Sequence, residues 1–270
     1  MKTVDNFIEI IAGNDRYTSP ENSVKIPFWG MNIDFYLTLA GVVFRANRMV
    51  KTGIYNDYNW VLSSLQLLHG WEKVGLKVEI EGMKNITKEQ GPVIFIANHM
   101  STYETVVLPG IIHPVKRVVF ITKKELTKYP LFGPINSARD PIIVGRENPR
   151  EDLKLVLEEG SARLKAGKSI MIFPQKTRSK IFDSKTFNTL GVKLAKQNNV
   201  PVVPVALLTD AYDNGKFVKE LGRIYPDKTI HFEFGEPFKV EGRGADEQQR
   251  VMDFISSRLK KWGRSEYVKS

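Results

Sequence analysis

Four short apolar runs constrain this chain more than anything else in it. They are "PVIFIAN" at 92–98, "RVVFIT" at 117–122, "KSIMIFP" at 168–174 and "VPVVPVALL" at 200–208. None alternates, and all four read as strands. The continuous run of "PVIFIAN" is typical of a buried one. Helical patterns separate them: residues 101–111, "KKELTKYPLFG", "NPREDLKLVLEEGSARLKAG" and residues 185–198. The third has Pro near its start and Gly at its end, the usual asymmetry of a helix. "DPIIVG" reads as another strand. "KVEIEG" and "TIHFEFGEPF" alternate and read as strands too, and residues 245–262 close with a helix. Strands and helices taking turns imply an α/β fold. Its sheet is largely parallel but mixed, is covered by helices, and spans 77–265.

The N-terminal part reads differently. Residues 1–31 form a polar lead, poorly specified over 1–27. Residues 32–76 read as a helical hairpin. Its first helix, 32–51, is apolar nearly all round and ends in Arg45, Arg48 and Lys51. After "TGIYND", the second helix at 57–74 carries a stripe of Tyr58, Val61, Leu65 and Leu68, widened by Trp60, Leu67, Trp71 and Val74. This apolar face is wider than one packing partner needs. With Trp29, Trp60 and Trp71 near the hairpin's ends, it suits a helix pair lying in a membrane interface. The competing reading is a hairpin packed on its own core.

The longest apolar stretch, 28–44, is broken by Asn32 and Asp34 and falls short of the roughly 20 residues of a spanning helix. The N-terminal apolar run is short, carries Asp5 and Glu9, and lacks a signal-peptide pattern. The expectation is a peripheral protein on the cytoplasmic face of a membrane. A net charge of +10 favours polyanionic partners, among them an anionic membrane surface. Nucleic acid would need aromatics interleaved with Lys and Arg, whereas here they gather in the hairpin, away from "KTRSK". The 270 residues include no cysteine, which excludes disulfides and thiolate nucleophiles. The four histidines are scattered, with no pair at ligand spacing, so no metal is expected.

Two histidines have an acid five residues on: His99 with Glu104, and His231 with Glu236. Spacing cannot choose between them, but context can. His231 lies inside an alternating strand. His99 follows a buried strand and precedes a helix, and ligands bind beside such carboxyl ends in α/β sheets. Five residues along one helix leave side chains roughly 140° apart, so His99 must stay in the turn while Glu104 enters the first helical turn. "STYE" permits this, since Ser101 to Glu104 is a capping-box spacing. The same spacing lets Glu104 serve only as a cap. If the pair meets, Glu104 fixes the imidazole tautomer and the other ring nitrogen becomes a base near neutral pH. The chain has no G-x-S-x-G elbow, so the nucleophile would be a substrate hydroxyl and the electrophile an activated acyl group such as a thioester. Backbone N–H groups at the helix start are candidates to hold the oxyanion. "ARLKAGKS" at 162–169 loosely fits a phosphate loop, but it closes a helix and opens a strand, the reverse of what that loop requires.

These residues resemble the glycerolipid acyltransferases, which include the lysophosphatidic acid acyltransferases. "NHMSTYE" matches that family's N-H-x-S-x-x-D block at Asn98, His99 and Ser101, with Glu104 for Asp. "FPQKTRS" keeps Phe173, Pro174, Thr177, Arg178 and Ser179 of F-P-E-G-T-R-S, with Gln175 and Lys176 for Glu and Gly. "IIVGR" keeps Arg146 but has Gly145 where Asp is usual, and "VPVVPV" is complete. The resemblance implies transfer of a fatty acyl group from acyl-CoA or acyl-carrier protein, with no cofactor, to the hydroxyl of a lyso-phospholipid. The first acceptor is 1-acyl-glycerol-3-phosphate, giving phosphatidic acid. Alternatives are another lyso-lipid, a glycolipid, or a non-catalytic lipid-binding relative. His99 would be the base and Glu104 its orienter. Arg146 and Arg178 would hold the acceptor phosphate, beside Gln175, Lys176 and Thr177.

Overall fold

The four unalternating runs lie side by side in a computed structural model that describes residues 4–20, 28–145, 147–215 and 222–269. In chain order the elements begin with α1 (Val4–Gly13), β1 (Arg16–Thr18), α2 (Phe28–Lys51), α3 (Asp57–Lys73), β2 (Lys77–Glu81) and α4 (Lys84–Thr87). Then come β3 (Ile94–Ala97), α5 (Tyr103–Ile112), β4 (Val118–Lys123), α6 (Phe132–Ser137), β5 (Ile142–Val144), α7 (Pro149–Lys165) and β6 (Ser169–Ile172). The last are β7 (Phe182–Asp183), α8 (Leu190–Asn198), β8 (Val202–Leu208), β9 (Thr229–Phe234), α9 (Ala245–Lys261) and β10 (Val268–Lys269).

The main sheet runs β1-β2-β9-β8-β3-β6-β4-β5. From β8 to β5 every pairing is parallel. β9 is antiparallel to β8 and parallel to β2, and β1 closes that edge antiparallel to β2. The sheet is the expected mixed, largely parallel one. Its centre is dry on both sides. Phe95 and Ala97 of β3 face one core with α3 and α5, while Ile94 and Ile96 face a second core with α7, α8 and α9.

Three expectations need correction. The polar lead supplies α1 and the edge strand β1, with Phe7 and Tyr17 buried and their rings 5.2 Å apart. Sparse apolar residues on one face were enough, because the sheet edge gave them a partner. "KKELTKYPLFG" is a 3₁₀ turn, Lys124–Lys128, followed by the separate α6, since Pro130 interrupts the run. The helix expected at 185–198 starts only at Leu190, where Asn188 Oδ1 accepts the Leu190 N–H.

The hairpin exists, but it is not a separate unit. Phe35 of α2 and Val61, Leu65, Leu68 and Trp71 of α3 belong to the same buried cluster as the strands. α3 crosses α5 closely at Gly110, where an added Cβ would lie 2.9 Å from Ser64 Cβ. Trp60 and Trp71 are core residues rather than interface anchors. Trp71 packs 3.9 Å from Tyr103 and 4.9 Å from Phe35, centroid to centroid. The Trp29 side chain lies outside the described residues. What α2 leaves exposed is a narrower strip: Ile33, Leu37 and Phe44, with Arg45 and Arg48 beside it. Among the described residues no helix is long and apolar enough to cross a membrane.

Candidate active site

The site forms where β3 gives out. Past Ala97 the backbone turns, and Asn98 continues the ladder with its side chain. Its Nδ2 donates to Leu207 O and its Oδ1 accepts from Leu207 N, both at 2.8 Å. The turn is thereby fastened to β8 before it delivers the next residue.

That residue is His99. Its Nδ1 lies 2.8 Å from Glu104 Oε2, so the pair does meet, with His99 in the turn and Glu104 in the first turn of α5. The second oxygen, Oε1, accepts the backbone N–H of Met100 at 3.0 Å and of Ser101 at 2.9 Å. Glu104 is therefore both helix cap and histidine partner, one oxygen for each. The longer Glu reaches both where the resembling block has Asp. A carboxylate only accepts, so Nδ1 carries the proton and Nε2 keeps its lone pair. The Glu104 side chain is 0% exposed and that of His99 17%, so the acid is walled off while the base reaches the surface. Phe173 stacks on the imidazole at 4.4 Å and 23° and fixes its plane.

The third block closes over this turn. Gln175 is buried and its Oε1 accepts the His99 N–H at 2.6 Å. Ser179 N donates to His99 O at 2.9 Å, and Arg178 donates to the Thr102 hydroxyl. Lys176 and Thr177 are exposed at the rim. Arg146 lies outside the described residues; Gly145 before it donates its N–H to Asp152 Oδ1 at 3.0 Å. Four N–H groups of the turn are already engaged and are not free to hold an oxyanion. Those of Met100 and Ser101 are held by Glu104, that of Tyr103 by Ser101 Oγ and that of His99 by Gln175.

Sequence reasoning missed Thr209. Its hydroxyl donates to Glu104 Oε1 at 2.5 Å and accepts from Ser101 Oγ at 2.9 Å. Its only signal was position, one residue past the end of a strand that neighbours β3. Asn98 and Phe173 were visible as motif letters without a role. The rival match dissolves. His231 pairs across strands with Glu79 at 3.2 Å and stacks on Trp262, and the register sets it opposite Glu79 rather than beside Glu236.

Known proteins share the sequence and the fold of this chain. The family model described as Acyltransferase matches residues 77–208, from β2 to the end of β8. The 1-acyl-sn-glycerol-3-phosphate acyltransferase of Pseudomonas aeruginosa is 30% identical over 189 residues, covering 68% of this chain and 70% of that protein. This chain belongs to the acyltransferase family. The Escherichia coli protein of the same name is 30% identical over 135 residues, with 54% of its length covered. The crystal structure of the 1-acyl-sn-glycerophosphate (LPA) acyltransferase PlsC from Thermotoga maritima has the same fold, with a TM-score of 0.65 at 18% identity. It covers 87% of this chain and 95% of that one. In this acyltransferase the His99 ring reaches the surface while its partner acid is sealed in the protein.

Proposed function

We propose that this acyltransferase moves a fatty acyl group from acyl-CoA or acyl-carrier protein to the free hydroxyl of 1-acyl-glycerol-3-phosphate, giving phosphatidic acid. The observation that carries the reading is the His99–Glu104 pair at 2.8 Å, with the acid buried and the base at the surface. His99 Nε2 takes the proton from the acceptor hydroxyl as its oxygen attacks the thioester carbonyl carbon. The C–S bond then breaks and the leaving thiolate takes that proton back from the imidazolium. The transfer is direct. Cysteine is absent, and the hydroxyl closest in sequence, Ser101, is buried and bonded to Thr209. Arg178, Lys176 and Thr177 sit together after β6, and with Arg146 they supply the positive charge an acceptor phosphate needs. Gln175 and Lys176 make this rim two charges more positive than the Glu–Gly of the resembling block, which suits a phosphomonoester.

The acceptor lives in a membrane, and α2 offers a surface for one. Ile33, Leu37 and Phe44 are 58%, 68% and 64% exposed. They fall within about 40° of one another around the helix, a single lipid-facing strip. Arg45, Arg48 and Lys51 border it and suit the anionic cytoplasmic leaflet.

A panel of lyso-phospholipids and glycolipids, offered with acyl-CoA and with acyl-carrier protein, tests the proposal. Acylation of 1-acyl-glycerol-3-phosphate that is lost in His99→Ala is the expected result. Preference for another acceptor replaces the substrate but keeps the reaction. Vesicle binding with no turnover on any acceptor makes the chain a lipid-binding relative and ends the enzymatic reading.

A further inference from the structure

We infer that the turn Tyr129–Pro130–Leu131 is a second membrane-inserting element, continuous with the exposed strip of α2 and placed at the lip of the active site. This rests on the membrane reading of α2 above.

The turn is unusual in three ways. Tyr129 and Leu131 are 46% and 44% exposed, two large apolar side chains side by side on the surface. Leu131 has φ 64° and ψ −49°, a conformation that non-glycine residues seldom adopt. The Phe132 N–H closes on Pro130 O at 2.7 Å, making a γ-turn of the strained, positive-φ kind. A glycine would relieve the backbone, yet the position carries an exposed leucine.

The conformation is held from α2. Asn47 is buried in that helix, and its Nδ2 donates to Leu131 O at 2.7 Å. Asn47 follows Phe44 by three residues, so it sits about 60° round the helix from Phe44, at the border of the exposed strip. Leu131 is therefore seated beside that strip and extends it sideways. Exposed Lys124 and Lys128, with exposed Glu125 between them, precede the turn, as Arg45, Arg48 and Lys51 border the strip. Apolar tips beside a net positive surface fit an anionic bilayer better than a protein partner. Position links the turn to chemistry. It follows β4, which pairs with β6, and β6 leads into Phe173, the ring stacked on His99. A bilayer gripped by both elements presents its acceptor lipid at the mouth of the site.

The cysteine-free chain makes the test direct. A Leu131→Cys variant carrying an environment-sensitive fluorophore is titrated with vesicles of phosphatidylcholine and phosphatidylglycerol. A blue shift, quenched by lipids brominated on their chains, is expected. Co-sedimentation compares wild type, Tyr129→Ser/Leu131→Gly and Leu37→Asp/Phe44→Asp. The turn variant is expected to bind vesicles about tenfold more weakly. Leu131→Gly accommodates the turn's backbone, so circular dichroism and thermal melts matching wild type are expected alongside the loss. If wild type binds and the turn variant binds equally, or the fluorophore stays in water, the turn is no insertion element and the inference falls alone. If wild type itself does not bind, the membrane reading of α2 falls and takes this inference with it.

Discussion

Thr209 and Glu104 are joined by a buried hydrogen bond of 2.5 Å, although 105 residues separate them in the chain. The bond ties the end of β8 to the acid behind His99. Through Glu104 it reaches His99, and through Ser101 it returns to the start of α5.

Thr209→Val removes that donor while keeping the shape of the side chain. The expected result is a severalfold lower kcat with KM unchanged, because only the base's support is disturbed. Stability should drop by about 1 kcal/mol, as for one lost intramolecular hydrogen bond. Thr209→Ser should restore both. Steady-state kinetics with a thermal melt check this.

His99→Ala should lower turnover by about 10²–10⁴-fold, the usual contribution of a positioned general base. Glu104→Gln should lower it less, since a neutral amide still fills the cavity but no longer stabilises the imidazolium. Glu104→Asp is the more informative change. On this backbone the shorter side chain cannot span from the Met100 and Ser101 N–H groups to His99 Nδ1. Activity below wild type is therefore expected despite the conserved charge. Full activity in Glu104→Asp would show that the turn adjusts and that capping does not set its position.

Asn98→Ala should damage the fold more than its size suggests. It strips partners from both the N–H and C=O of Leu207, which lie in the dry centre of the sheet. Each buried backbone group left unpaired costs about 1–3 kcal/mol, so the melting temperature should fall by several degrees. Asn98→Asp should not rescue it, because a carboxylate repels the Leu207 carbonyl oxygen.

Two buried carboxylates set the response to acid. Burial works to raise Glu72, but hydrogen bonds from His69, Tyr17 and Ser19 outweigh it and hold the group below its usual 4.5. Burial likewise works to raise Asp210, and bonds from Lys228 and Tyr267 with the charges of Lys228 and Arg264 hold it below 3.8. A depressed carboxylate stabilises the fold fully above its unfolded pKa. That contribution is lost as pH falls through the folded one. The contribution of these two groups should therefore hold steady down to about pH 5 and decline below it. Asp210→Asn should be less stable at pH 7, yet lose less on going to pH 3. Denaturant melts across that range would show an unchanged acid slope if the assignment is wrong.

Most of the architecture was legible because its signals are local. The four apolar runs read as strands, and the continuous run of "PVIFIAN" marked a buried one. His99 and Glu104 were legible because a strand end and a capping spacing fix their relative positions within six residues. Thr209 was not legible, since nothing near it in sequence records that β8 lies against β3. The lead failed for the opposite reason. Phe7 and Tyr17 look isolated among polar neighbours, and only the free edge of β2 gives them something to cover. The hairpin was half right. Helical spacing revealed a face too wide for one partner, but it could not say that Trp60 and Trp71 look inward.

Trp71 of the hairpin packs against Tyr103, the residue immediately before Glu104, with the two rings tilted by 38°. The hairpin is thus the back wall of the turn that carries His99 and Glu104, not a tether attached to it. Pruning it to obtain a freestanding core would lay bare the rear of α5 and loosen the residue bonded to His99.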